Sequence, residues 1–406
     1  MTGSTRPWTH RNWAGNVKFQ AKTFAEPASL SELRALVARA DRVRALGTRH
    51  SFSRIADTTG THISLAGLPP LMEIDSAGRR VRVGGGIRYT ELAPHLTASG
   101  WALPNLASLP HITVAGACAT ATHGSGDGNG NLASPVVELE MVAATGDLVT
   151  ISRDDPGFCG AVVALGRLGI VSALTLDIVP AFDIAQYVYD DLPDERLDAE
   201  FDAIFASGYS VSVFTDLRRN QLWCKRLTSE SPPPPVWFGA RAADGPRHPV
   251  PGMPVQNATE QGGVAGPWHA RLPHFRAEFT PSAGAELQTE YLLPRSHAVP
   301  AVHALRELRD QITAVLQICE IRTVAADELW LSPSYRRPTV GVHFTWVDDA
   351  TAVAPVVAAV EERLAPFDPR PHWAKVHVMS GRYERLADFN RLTQEFDPNG
   401  KFGQSS

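Results

Sequence analysis

The chain has 406 residues, 44% hydrophobic and 20% charged, enough to bury two cores as an ordinary globular protein. Its formal net charge of -5, with Lys and Arg scattered along the chain, leaves no positive surplus for neutralising phosphates and argues against a nucleic-acid partner. The start, Met1 to Ala14, has no apolar core of the export type, no run approaches membrane-spanning length, and Cys118, Cys159, Cys224 and Cys319 form no CxxC pair, so we expect a monomer with free thiols in a reducing cytoplasm, without metal site, disulfide framework or membrane span.

Ser29 and Glu32 stand in capping-box spacing ahead of Leu33, Leu36 and Val37, which predicts an amphipathic helix over 29–40. Residues 43–46 read as a short buried strand running into Gly47-Thr48-Arg49-His50-Ser51, a transition that can present backbone N–H groups to a ligand. Val81 and Val83 mark a second strand, Gly84-Gly85-Gly86 breaks it, and 90–99 form a helix closed by Gly100. Residues 136–151, turning at Ala144-Thr145-Gly146-Asp147, predict a hairpin and 170–179 a further strand, with Pro180 ending the first unit. An insert-rich second unit covers 181–380, with a helix over 198–205, a strand over 211–214 and a loop around Pro232-Pro233-Pro234-Pro235. It continues with a strand at 285–293, a helix at 299–315, strands at 320–324 and 340–347, and a helix at 351–364, which predicts a mixed sheet backed by helices in an α+β protein.

Three stretches carry chemistry. From Ser108 to Gly126 nearly every side chain is small or a hydroxyl, which suits close backbone approach to a flat or phosphorylated ligand but also plain tight packing. No GxGxxG fingerprint opens the chain, so a classical dinucleotide fold is disfavoured. Glu320 and Arg322, then His343 and Thr345, are each two apart on strands and so share sheet faces, either as a site lining or as a solvated face. Lys375, within Pro371-His372-Trp373-Ala374-Lys375, would have its pKa lowered if its aromatic surroundings bury it.

The segments Ala45-Leu46-Gly47-Thr48-Arg49-His50-Ser51-Phe52 and Ala107-Ser108-Leu109-Pro110-His111-Ile112-Thr113-Val114-Ala115-Gly116 resemble the two FAD-clasping loops of the vanillyl-alcohol-oxidase superfamily of PCMH-type flavoproteins. The resemblance to its alditol and xylitol oxidase branch runs through nearly the whole chain, including Asn12-Trp13-Ala14-Gly15-Asn16 and Asp397-Pro398-Asn399-Gly400-Lys401-Phe402. It implies a two-domain flavoprotein: an FAD-binding domain over 1–180, a substrate-binding domain over 181–380 and a tail, 381–406, returning to the FAD domain. The implied cofactor is FAD, joined covalently through its 8α-methyl carbon to His50. The cofactor contacts would be Gly47, Thr48, Arg49, His50, Ser51, Ser108, Thr113, Gly116, Thr120, Ala121, Thr122, His123 and Ile170. Relatives outside the branch carry glycine at the position of Arg49, which implies a positive-φ backbone there. Ser108, Glu320, Arg322, Thr345 and Lys375 match positions that line the polyol site, with Arg322 and Lys375 as catalytic residues that stabilise a developing alkoxide. The implied reaction oxidises the terminal primary hydroxyl of xylitol, sorbitol or glycerol with reduction of molecular oxygen to hydrogen peroxide.

Two other readings accompany this one. His372-Trp373-Ala374-Lys375 also resembles the C-terminal signature of sugar-lactone oxidases and dehydrogenases, and the stop after Gly403-Gln404-Ser405-Ser406 suggests a flavin-binding protein without turnover. The segments Cys319-Glu320-Ile321-Arg322-Thr323 and His343-Phe344-Thr345-Trp346 favour the alditol branch.

Overall fold

The structure, a computed structural model, describes residues 10–403, so most of the stretch read for an export signal and the final Gln404-Ser405-Ser406 lie outside the described residues. Ser29 caps the helix Leu30–Arg39 by accepting from the Glu32 amide, while the Glu32 carboxylate accepts from the Ala28 amide at 2.9 Å. Leu33 and Val37 thereby face Val43 and Ile63 of a three-stranded parallel sheet made of Thr23–Ala25, Thr61–Ile63 and Val43–Ala45. A five-stranded antiparallel sheet follows, in the order Met72–Asp75, Arg80–Gly84, Ile170–Asp177, Val136–Val142 and Leu148–Ser152. The helix Tyr89–Ala98 packs beside it and ends before Gly100, whose φ of 80° needs no Cβ to be accommodated.

The second unit is built on a ten-stranded sheet. Its order runs Val236–Trp237, Ala240–Ala242, Asp183–Asp190, Asn220–Leu227, Ser210–Thr215, Leu316–Val324, Thr339–Val347, Glu286–Pro294 and Arg370–Pro371, with Gly266–Pro267 on the side of the 183–190 strand. Every pairing among these strands is antiparallel, where the sequence suggested a mixed sheet. The strand–helix–strand pattern is real: the 286–294 and 316–324 strands run the same way. The 339–347 strand inserts between them in the opposite direction, so no parallel ladder forms.

Alternation along these strands separates the two faces. Leu287, Tyr291, Leu293, Ile321, Val340, Val342 and Phe344 meet the helices Ala298–Arg306, Arg309–Thr313 and Ala350–Leu364 in one apolar cluster. The single helix expected over 299–315 is broken at Glu307 and Leu308 into two short helices, with Leu305 and Ile312 both fully buried. The helix expected over 198–205 is likewise two, Asp194–Ala199 and Phe201–Phe205, parted at Glu200. Among the described residues no helix is long and apolar enough to cross a membrane.

The two sheets are stitched together by backbone. The Gly126 amide donates to Thr323 O (2.9 Å), the Phe52 amide to Ala374 O (2.6 Å), and the His274 amide to Ser108 O (2.9 Å). The last described residues return to the first unit: Val43 donates to Lys401 O at 3.0 Å, Arg44 donates to Phe402 O at 2.7 Å, and the Phe402 ring fills the core around Leu33, Val37, Val142 and Ile170. Removing that ring leaves a cavity in a small core, so Phe402→Ala is expected to cost about 3–5 kcal/mol. Denaturant titration checks this, and an unchanged midpoint would deny Phe402 its anchoring role.

Candidate active site

A cavity of about 1430 Å³ runs between the sheets, from the 47–53 loop to the polar face of the second sheet. Pockets for one small ligand span roughly 300–1,000 Å³. This one therefore has room for a large cofactor and a small substrate together.

At one end lie the two loops singled out in the sequence. Gly47, Thr48, Arg49, His50, Ser51, Ser108, Thr113, Gly116, Thr120, Thr122 and His123 all line the cavity. Ala121 and Ile170 do not: both are buried in hydrophobic cores, Ile170 beside Phe402, because the strand parity that turns Val171 to the cavity turns Ile170 away. Thr113 locks the loops together, since a Cβ at Gly47 or Gly116 would sit 2.7 or 2.8 Å from its hydroxyl. The amides of Gly47, Thr48, His50 and Ser51 meet no acceptor among the described residues. A run of free N–H donors beside glycine backbone is what a diphosphate requires, so the residues present fit a dinucleotide such as FAD. Arg49 adopts φ 66°, the left-handed geometry anticipated from its glycine-bearing relatives. Its carbonyl is held by the Trp13 amide at 2.7 Å.

His50 is half-buried under the Trp13 ring, with centroids 5.1 Å apart and planes at 19°. Its Nδ1 lies 3.0 Å from the Thr48 hydroxyl. Burial, and then the neighbouring His111, push its pKa down to about 3, so the imidazole is neutral at pH 7 and keeps a lone pair for bonding.

The other end is charged. Arg322 donates to Glu290, lies 3.6 Å from Glu320 Oε2, and donates to Ser108 Oγ at 3.2 Å. Its side chain is 7% exposed, and those of Glu290 and Glu320 are 1% and 5%, which rules out a solvated face. Burial alone would raise both carboxyls, but Arg322 above all, with His123 at Glu290 and His274 at Glu320, holds each well below the usual range. The guanidinium is in turn stabilised: burial works against its charge, and Glu290 and Glu320 more than offset it. Thr345 lies 3.3 Å from His343 Nε2, and burial keeps that imidazole neutral. Lys375 donates to Gln288 Oε1 and sits 5.1 Å from the Phe52 ring centroid. Burial, opposed by Glu290 and reinforced by Arg322, lowers its pKa to about 8.

The structure thus brings Ser108, Glu320, Arg322, Thr345 and Lys375 onto one cavity wall. Sequence reading passed over Glu290, Gln288 and Glu286, although they alternate on the 286–294 strand just as 320 and 322 do on theirs. His274 and Lys225 carried no comparable signal, since they arrive from an irregular segment and from a strand not anticipated. His123, Glu290 and His372 have ligand atoms within 4.8 Å of one another, but Glu290 is already engaged by Arg322 and His372 Nδ1 accepts from the Ala374 amide.

Glu290→Gln is expected to destabilise the fold by about 3 kcal/mol at pH 7, because it leaves the Arg322 charge under-compensated. A carboxyl with a depressed folded pKa contributes stability that is fully present above its unfolded value, near 4.5, and lost as pH falls through the folded value. The gap between wild type and variant should therefore close on acidification below about pH 4.5; paired denaturation curves at pH 7 and pH 3 read it directly.

Residues 21–152 match the family model "FAD binding domain", and residues 285–405 match "D-arabinono-1,4-lactone oxidase". The chain is 54% identical to an alditol oxidase of Streptomyces sp. over 96% of each chain. It is 28% identical to an L-gulono-1,4-lactone dehydrogenase of Mycobacterium tuberculosis, again over 96% of each. Its fold is shared with the crystal structure of cholesterol oxidase from B. sterolicum, at a TM-score of 0.78 and 14% identity, covering 98% of this chain and 95% of that one. Two loops that meet at Thr113, a charged wall facing them, and identity of this extent place the conclusion beyond the fold alone: the chain belongs to the alditol oxidase branch of the vanillyl-alcohol-oxidase flavoprotein superfamily.

Proposed function

We propose that the chain is an FAD-dependent oxidase that converts the terminal primary hydroxyl of an alditol to the aldehyde and passes the electrons to molecular oxygen, giving hydrogen peroxide. The observation that carries this reading is the buried wall of alternating cations and acceptors, Lys375, Thr345, Glu320, Arg322 and Ser108. A neutral polyol offers only hydroxyls, and such a wall satisfies them in succession. Bound FAD supplies the two-electron acceptor for the hydride. The protein's part is to position the chain of hydroxyls, to stabilise negative charge on the reacting oxygen with Lys375 and Arg322, and to take the hydroxyl proton on the neutral imidazole of His343. Both positive groups are used at the reacting end and Arg322 is already shared between two carboxylates, so little charge is left for a distant carboxylate on an acidic sugar. The four cysteines, all free, support a reducing cytoplasm, and we take the protein to act there as a monomer.

Covalent attachment of FAD through His50 is part of this reading, supported by a neutral, stacked imidazole at the rim of the loop. Acid precipitation should carry the yellow colour down with the polypeptide, and His50→Ala should release it; complete release from the native protein would remove the linkage.

The second reading, a sugar-lactone oxidase or dehydrogenase, is favoured by the family match over 285–405. The kcat/KM values for xylitol, glycerol and an aldonolactone separate the two. Xylitol should lead, with each lost hydroxyl contact weakening binding or rate by about 1 kcal/mol, and a preference for the lactone would overturn the alditol reading. Because the charged form of Lys375 does the work, kcat/KM should fall as pH rises past about 8. Lys375→Met should retain flavin, lose roughly 100-fold in turnover and lose that alkaline limb.

A further inference from the structure

Behind the proposed polyol wall lies a second layer that the reaction as described does not use. Lys225, on the 220–227 strand, is 1% exposed and lines no part of the cavity. Its ammonium donates to Leu272 O and lies 3.3 Å from His274 Nδ1, and no carboxylate among the described residues pairs with it. Burial, only partly opposed by Glu320, lowers the Lys225 pKa to about 7, and cores seldom keep an amine at that cost for packing alone; charged or neutral, it still has a proton to donate. The His274 ring is boxed in by Phe214, with centroids 5.1 Å apart, and by Trp223 at 5.7 Å, both edge-on. With Nδ1 receiving the lysine proton, the imidazole carries its own proton on Nε2, which donates to Glu320 Oε1 at 2.9 Å. The same residue reaches the other side of the cavity. The His274 and Phe275 amides donate to Ser108 O at 2.9 and 3.1 Å, and Ser108 Oγ accepts from Arg322.

We propose that Lys225 and His274 are positioning residues for substrate: Lys225 fixes the tautomer of His274, and His274 holds Glu320 and Ser108 where the polyol hydroxyls meet them. This rests on the alditol reading. It gives Glu320 a fixed direction. One carboxylate oxygen is occupied by an imidazole N–H, and the other is left for Arg322 and a substrate hydroxyl. The charged groups facing His274 are Lys225 from the 220–227 strand and Glu320 with Arg322 from the 316–324 strand; the other neighbours are the Phe214, Trp223 and Phe275 rings. Burial and then Lys225 lower the His274 pKa to about 4, so removing the lysine charge raises it.

The test uses the purified flavin-loaded protein and the variants Lys225→Met, His274→Phe and His274→Gln, with flavin content, xylitol KM and kcat, and the rise in Tm produced by saturating xylitol. Lys225→Met and His274→Phe should keep their flavin, raise the xylitol KM about tenfold or more with a smaller change in kcat, and lose most of the xylitol-induced rise in Tm. His274→Gln, whose amide can still donate to Glu320, should recover part of both. In Lys225→Met the acid limb of kcat/KM should move to higher pH. Wild-type KM and Tm response in Lys225→Met and His274→Phe, or no recovery in His274→Gln relative to His274→Phe, would overturn the proposal. Should His274→Phe fail to fold, Lys225→Met decides alone, since methionine keeps the volume of the lysine stem. A wild-type protein neither stabilised nor turned over by xylitol overturns the alditol reading, and this proposal with it.

Discussion

Arg322 carries a permanent charge where almost no water reaches, and unlike lysine or histidine it cannot shed a proton to escape the cost. The surrounding sheet is organised around that requirement. Glu290 and Glu320 flank the guanidinium from two strands, and His123, His343 and His274 approach the carboxylates in turn. Between the 316–324 and 286–294 strands runs the 339–347 strand, whose Gly341 stands opposite Arg322 in register. A Cβ there would already touch Glu290 Oε1, at 3.4 Å, so the missing side chain leaves the line between Arg322 and Glu290 open. The antiparallel insertion that replaced the expected mixed sheet is thus also what sets the two charges one strand apart.

Local signals were the readable ones. The Ser29 cap of the 30–39 helix, whose Glu32 reaches back to the Ala28 amide rather than to Ser29 as a full capping box would, the strand running into the 47–51 loop, and the glycine at the end of the 89–98 helix are each decided by neighbours in sequence. The paired polar positions 320 with 322 and 343 with 345 were legible because period two needs only one strand. What escaped depends on contacts between distant segments. Glu290 reads as a polar interruption in a strand until Arg322 arrives from 32 residues on. Lys225 and His274 become meaningful only because the 220–227 strand and the irregular 272–275 segment meet at Glu320. The helices over 194–205 and 298–313 are interrupted at Glu200 and at Glu307 and Leu308, where no glycine or proline announces a break. Ile170 was assigned to the cofactor by resemblance, while the parity of its strand points it into the core.

The cofactor end obeys a different economy. Arg49 is held in a backbone conformation that residues with a Cβ avoid, at a cost of order 1–3 kcal/mol. Such a state persists only when its surroundings over-determine it. Here the Trp13 amide holds the carbonyl, Trp13 stacks on the next residue, and Phe52 is tied to Ala374 three residues further along. The loop's shape is thus set by the protein's own contacts, which lowers the ordering cost of binding a ligand against it.

The backbone bonds that stitch the two sheets also bear on traffic. Gly126 to Thr323, Phe52 to Ala374 and His274 to Ser108 tie the two units at three separate places in the chain. Whole-domain opening would have to break these ties. The 275–282 segment, which lines the cavity and exposes Phe279, offers small molecules a doorway of loop side chains instead. Exchange through such a doorway is set by side-chain rotations and short loop excursions, on nanosecond to microsecond scales, rather than by the slower swing of whole domains.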